Sequence, residues 1–166
     1  MNRRSLLAAL AGAAAAPGAW LATGTARAQG AVDLQRYRVM ALMGGEFAIQ
    51  TSRLALERAA DSQVQEFAQL EINEQVAFAA SLRARPGGAP VRPDQAQLLQ
   101  QLAATPSGSR FDRAYVGGQI DGHEELLVLN SAYAQGGYDT VGQAVATVAV
   151  PSIQTHLTIL SRLRRA

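Results

Sequence analysis

His123 and His156 are the only imidazoles in the 166-residue chain, and there is no cysteine. Metal or acid–base chemistry must therefore come from these two rings together with carboxylates. Glu71 and Glu74 are the acids best placed to join them, three residues apart and so neighbours on one helical surface. An ionised carboxylate is costly to bury unless it is paired or bound to a metal. Two imidazoles with one or two carboxylates suit Fe(II), Zn(II) or Mn(II). The candidate ligands are thus Glu71, His123 and His156, with Glu74 as a fourth. The competing reading is a hydrogen-bonded Glu–His–His–Tyr layer that fixes helix register without an ion. Glu71-x-x-Glu74 ends in Glu, and neither histidine has an acid three residues before it. The paired Glu-x-x-His motif of di-iron bundles is therefore absent.

No catalytic residue is assigned. Neither Gly-x-Ser-x-Gly nor a Ser, His and Asp spacing points to a triad. Glu124 and Glu125 beside His123 read as solvated surface acids, and Glu46 falls off the apolar face of its helix and reads the same way.

Four long segments with helical periodicity must position these groups. The first runs from about Leu34 to Ala60, with Tyr37, Met40, Met43, Phe47, Thr51 and Leu54 at steps of three or four. Asp61 or Ser62 caps the second, with Gln65 at the capping-box position. Val64, Ala68, Phe78 and Leu82 line its apolar face; Glu71 and Gln75 fall on that face and Glu74 on its edge. Arg85-Pro86-Gly87-Gly88 stops it. A linker with Pro90 and Pro93 leads to a short helix, about Asp94 to Ala104. Ser109 is read as the cap of the third long helix, which runs to Gln135. Tyr115, Leu126, Leu129 and Tyr133 define its face, with Gln119, His123 and Asn130 beside them; both tyrosine hydroxyls should find polar partners. The last helix runs from Asp139 to about Arg164 with His156 near the middle of its apolar stripe. Pro151 inside it predicts a kink or break near Val150.

Strand signals are weak, so the pattern predicts an all-α antiparallel four-helix bundle, with the short helix in the crossover between long helices two and three. Gly44-Gly45 in the first helix reads as a close helix–helix approach. The Arg85–Pro106 crossover is also a candidate contact surface if the protein is an interaction module of the cell envelope.

Residues 1–28 read as a leader: Arg3 and Arg4, an Ala- and Leu-rich run, then Ala26-Arg27-Ala28 as a cleavage site. Asn2-Arg3-Arg4-Ser5-Leu6-Leu7 also resembles a twin-arginine export signal. The bundle then occupies residues 29–166, in the periplasm, with no transmembrane segment after cleavage. The whole chain has 15 basic and 13 acidic residues; Arg3, Arg4 and Arg27 belong to the leader, leaving 12 against 13. Without a basic excess, nucleic-acid binding has no electrostatic footprint.

The ordered set of Gly44-Gly45 with Phe47-Ala48, Leu54 to Ala59, Phe67-Ala68, Glu71-x-x-Glu74-Gln75, Phe111-Asp112-x-x-Tyr115, His123, Val150-Pro151 and His156-Leu157 resembles the bacterial family "domain of unknown function 4142". The resemblance implies an exported or envelope-associated protein with a ferritin-like four-helix bundle. It implies no activity. Many members carry Asp-His where this chain has Glu74-Gln75, so one histidine that the family offers is missing here.

Overall fold

The computed structural model describes residues 33–165. The leader assigned to residues 1–28 lies outside them. Five helices form: α1 (Leu34–Arg58), α2 (Ser62–Ser81), α3 (Pro93–Ala104), α4 (Ser109–Gly136) and α5 (Thr140–Leu163). No strand occurs among the described residues.

Aspartates start three of the helices by accepting otherwise unpaired backbone N–H groups. Asp33 accepts from Arg36 N, Asp61 from Gln63 N and Asp139 from Gly142 N. Gln65 does not close the expected capping box; its amide donates to the Ala59 carbonyl at 2.8 Å instead. The cap of α4 also differs from expectation. Gly108, at φ +110°, holds the cap position without a side-chain bond, and Ser109 is already helical. Glycine suits the sharp chain reversal after Pro106 because that φ disfavours any side chain.

α5 runs unbroken through Pro151, so the predicted break is absent. Pro151 is exposed, while Ala149, Ile153 and His156 on either side of it are buried. That packing holds the helix together across the lost hydrogen bond.

α1 packs chiefly on α2 and α4, α4 chiefly on α5, and α3 lies against α1 and α4; α2 and α5 meet sparingly. Three apolar regions result among the described residues. One gathers Phe67, Ala68, Phe111, Tyr115, Ile120 and Leu160; the second gathers Tyr37, Ala41, Leu82, Tyr133 and Ala146; a smaller third holds Leu126, Ala149 and Ile153. In the second, the Tyr37 and Tyr133 rings stack at 3.9 Å and the Tyr37 hydroxyl donates to Asn130. Tyr133 corrects an expectation: its hydroxyl has no hydrogen-bond partner among the described residues, whereas that of Tyr115 lies 2.8 Å from Ser52.

Along each helix the polar candidates fall between the first two of these regions. Glu71 follows Ala68 and precedes Leu82; His123 follows Ile120 and precedes Tyr133.

The Gly44-Gly45 pair marks close packing. A Cβ at Gly44 would lie 2.9 Å from Leu126 Cδ2, and one at Gly45 would lie 2.6 Å from the Gln75 side-chain oxygen. Glu46 departs from the sequence reading: it is buried, 5% exposed. Its two oxygens accept from Gln50 Nε2 and from the Gly87 backbone N–H, both at 2.7 Å. The turn after α2 folds back onto α1 and covers it, a non-local contact that helical periodicity cannot reveal.

Candidate metal centre

α2, α4 and α5 each deliver one donor to a common point. Glu71 Oε2 lies 2.9 Å from His156 Nδ1 and 3.2 Å from His123 Nε2, and the two ring nitrogens are 3.2 Å apart. All three residues are buried. The donors thus form a nearly equilateral triangle. An ion with bonds of about 2.1 Å presents donor–donor edges of about 3.0 Å on an octahedral face and about 3.4 Å on a tetrahedral one. The sides of 2.9 and 3.2 Å lie closest to the octahedral value.

Orientation matters as much as distance. Glu71 Oε2 has no directed hydrogen bond despite its two close nitrogens. The ring N–H directions miss the oxygen, while His123 Nε2 and His156 Nδ1 stand in hydrogen-bond geometry to each other. The other carboxylate oxygen is satisfied: Gln75 Nε2, one turn along α2, donates to Oε1 at 3.0 Å. Gly45 leaves the room in which that Gln75 side chain stands.

Each imidazole is also held from its far side. His123 Nδ1 lies 2.7 Å from the Gln119 carbonyl, one turn back on α4. A carbonyl only accepts, so Nδ1 carries the hydrogen and Nε2 turns toward the cluster. His156 Nε2 lies 3.2 Å from Glu74 Oε2, and Ser152 Oγ donates to Glu74 Oε1 at 2.6 Å. Outer partners of this kind fix the tautomer and angle of metal-binding histidines. Phe67 packs beside both rings, edge-on to His156 with centroids 5.3 Å apart.

Burial alone would raise the Glu71 carboxyl. The contacts of His123 and His156 within hydrogen-bond range outweigh it and pull the pKa down to about 2. Contact with His156 lowers Glu74 as well, against a smaller opposing effect of burial. His156 shows the reverse: burial disfavours its charge, yet Glu71 and Glu74 together push it up to about 9. Without an ion, a shared proton on this ring supplies the positive charge between two acids.

The sequence candidates therefore divide. Glu71, His123 and His156 come together, while the Glu74 carboxylate reaches the ring nitrogen of His156 that faces away from them. Sequence reasoning assigned no role to Gln75, Gln119 or Ser152. Their signal was a spacing of four residues from Glu71, His123 and His156 respectively. Glu125 also gains a partner, an ion pair with Arg92 at 2.8 Å, but Glu125 remains largely exposed. The five main cavities among the described residues leave Glu71, His123 and His156 off their walls.

A family profile described as "Domain of unknown function (DUF4142)" matches residues 21–163. No curated protein matches the chain. A solved structure described as "CopM in the Cu(II)-bound form" is similar in fold, with a TM-score of 0.62 at 15% identity, covering 79% of this chain and 95% of that one.

Proposed function

The chain belongs to the DUF4142 family, a domain without an assigned activity, and we propose that it is an exported helical bundle that holds one divalent metal ion between Glu71, His123 and His156. The observation that carries this reading is the Glu71 oxygen: fully buried, ionised, close to two ring nitrogens and directed at neither. A buried charge in that state is expensive unless a cation completes it. Two nitrogens and one carboxylate oxygen suit Fe(II), Zn(II) or Mn(II). The Cu(II)-bound form of CopM, the structural neighbour, adds Cu(II) to the ions worth testing.

Bound at this site, the ion would tie three helices together, with Gln75, the Gln119 carbonyl and Glu74 orienting the three ligands. Glu74 serves on this reading as a partner of His156 rather than as a fourth ligand.

The helix order and packing support an antiparallel four-helix arrangement of ferritin-like type, with α3 in the crossover. Export to the periplasm rests on the leader pattern of residues 1–28. α5 is long and apolar enough to cross a membrane by length and composition. Its buried residues packed on α4 favour a place within the bundle.

Calorimetric titration of the full chain with Zn(II), Fe(II), Mn(II) and Cu(II) tests the reading. One equivalent should bind, with about one proton released per ion near neutral pH as His156 gives up its charge. His123→Ala should abolish binding. A second reading has its own support in the raised His156: a charge-balanced Glu71–His156–Glu74 network that needs only a proton. A chain that takes up no ion at millimolar concentration would establish that reading and refute the first.

A further inference from the structure

The cluster is open on one side only by degrees. The side chains of Glu71 and His123 are 0% and 2% exposed, that of His156 9% and that of Glu74 36%. The last two belong to α2 and α5, which meet sparingly. Between those helices runs a groove of about 490 Å³, walled by Ala77, Ala144 and Val148 and including Glu74 and Ser152. His156 has one ring nitrogen toward the Glu71–His123 side and the other 3.2 Å from Glu74.

We propose that this seam is the route by which the ion enters and leaves, that the His156 ring swings aside to pass it, and that Glu74, pinned by Ser152, is the latch on that ring. The inference rests on Glu71, His123 and His156 holding an ion. His156 is the outermost of the three donors and stands on α5, which meets α2 sparingly. Its ring can rotate about its side-chain torsions only if the bond at Nε2 breaks. Ser152 sits one turn before His156 on α5, so the Ser152–Glu74 bond joins α2 to α5 where little else does. A metal-bound imidazole is kept in line by the partner of its other nitrogen, and losing that partner typically weakens binding 10- to 100-fold. Here the loss should fall on the rate of escape. Glu74 is a positioning residue on this account, since its carboxylate touches the far nitrogen of the ring rather than the cluster.

Stopped-flow transfer of Zn(II) from the loaded full chain to an excess of chelator tests the proposal. Ser152→Ala, which removes one hydroxyl, and Glu74→Gln should both release Zn(II) about tenfold faster, with uptake no slower. Ala77→Leu narrows the groove one turn from Glu74 without touching His156. It should slow release and uptake by the same factor and leave the affinity unchanged. A wild-type chain that binds no Zn(II) overturns the metal reading and this one with it. Tight wild-type binding with unchanged or slower release in both latch variants overturns the latch alone. Unchanged kinetics in Ala77→Leu overturn the route.

Discussion

Glu46 and Glu71 are both buried glutamates on long helices, yet their surroundings are unlike. Both oxygens of Glu46 accept from neutral donors, Gln50 and the Gly87 N–H. Only one oxygen of Glu71 is satisfied; the other faces two imidazoles without a directed bond. Glu46 fastens a loop to α1, and its hydrogen-bonding capacity is used up in doing so. Glu71 keeps one oxygen turned to the two imidazoles, the oxygen that receives the cation on the proposed reading. Burial of an acid therefore does not mark a site; what remains unpaired once the neighbours are counted does.

The largest test of this contrast is substitution at the two positions. Glu71→Gln should weaken metal binding by more than about 100-fold, beyond the range expected of an outer partner. Glu46→Gln should leave affinity unchanged and cost about 1–3 kcal/mol in denaturant unfolding, because one buried donor loses its acceptor. Equal effects of the two on metal titration would erase the distinction.

Acidity separates the two next. In the metal-free protein His156 is raised from 6.5 to about 9, so its contribution is complete below pH 6.5 and is lost as pH rises through about 9. Glu71 is depressed from 4.5 to about 2, so its contribution is present above pH 4.5 and is lost as pH falls through about 2. Thermal melts should thus show a plateau between about pH 4.5 and 6.5, declining on both sides. Glu71→Gln should flatten the alkaline decline, while Glu46→Gln should leave it in place.

The smallest effect concerns the glycine pair. A methyl group at Gly45 meets the flexible end of Gln75, which can move at little steric cost but then leaves Glu71 Oε1. Gly45→Ala should therefore weaken metal binding severalfold while barely moving the melting temperature. Gly44→Ala meets Leu126 in the core and should cost about 1–3 kcal/mol of stability with affinity intact. Paired titrations and melts of the two variants check this.

The sequence revealed those features that follow helical periodicity. Glu71, His123 and His156 could be placed on inward faces because 3.6 residues per turn leaves little choice; Asp61, with Ser62 as its alternative, and Asp139 as the start of the last helix were visible from local residue type. Periodicity says nothing about a loop that returns over a helix, so Glu46 read as solvated. It also places a side chain on a face without its torsion angles. Glu74 could therefore be assigned to the cluster but not to the far nitrogen of His156. Ser109 looked like a cap because its hydroxyl is of the right type, but Gly108 could take the positive φ. At Pro151 a local rule predicted a break, and tertiary packing overrode it.

The sparse seam between α2 and α5 carries one more consequence. Most helices here are joined by interlocking apolar side chains; the last side of the ring adds to Phe67 and Phe78 a set of polar contacts, Glu71 and Glu74 with His156 and Glu74 with Ser152. A fastening made of charges responds to ions and acidity in a way that a greasy one does not. Metal status, on the proposed reading, would then be written into how tightly α2 is clasped to its neighbours, as a change of shape expressed away from the ion.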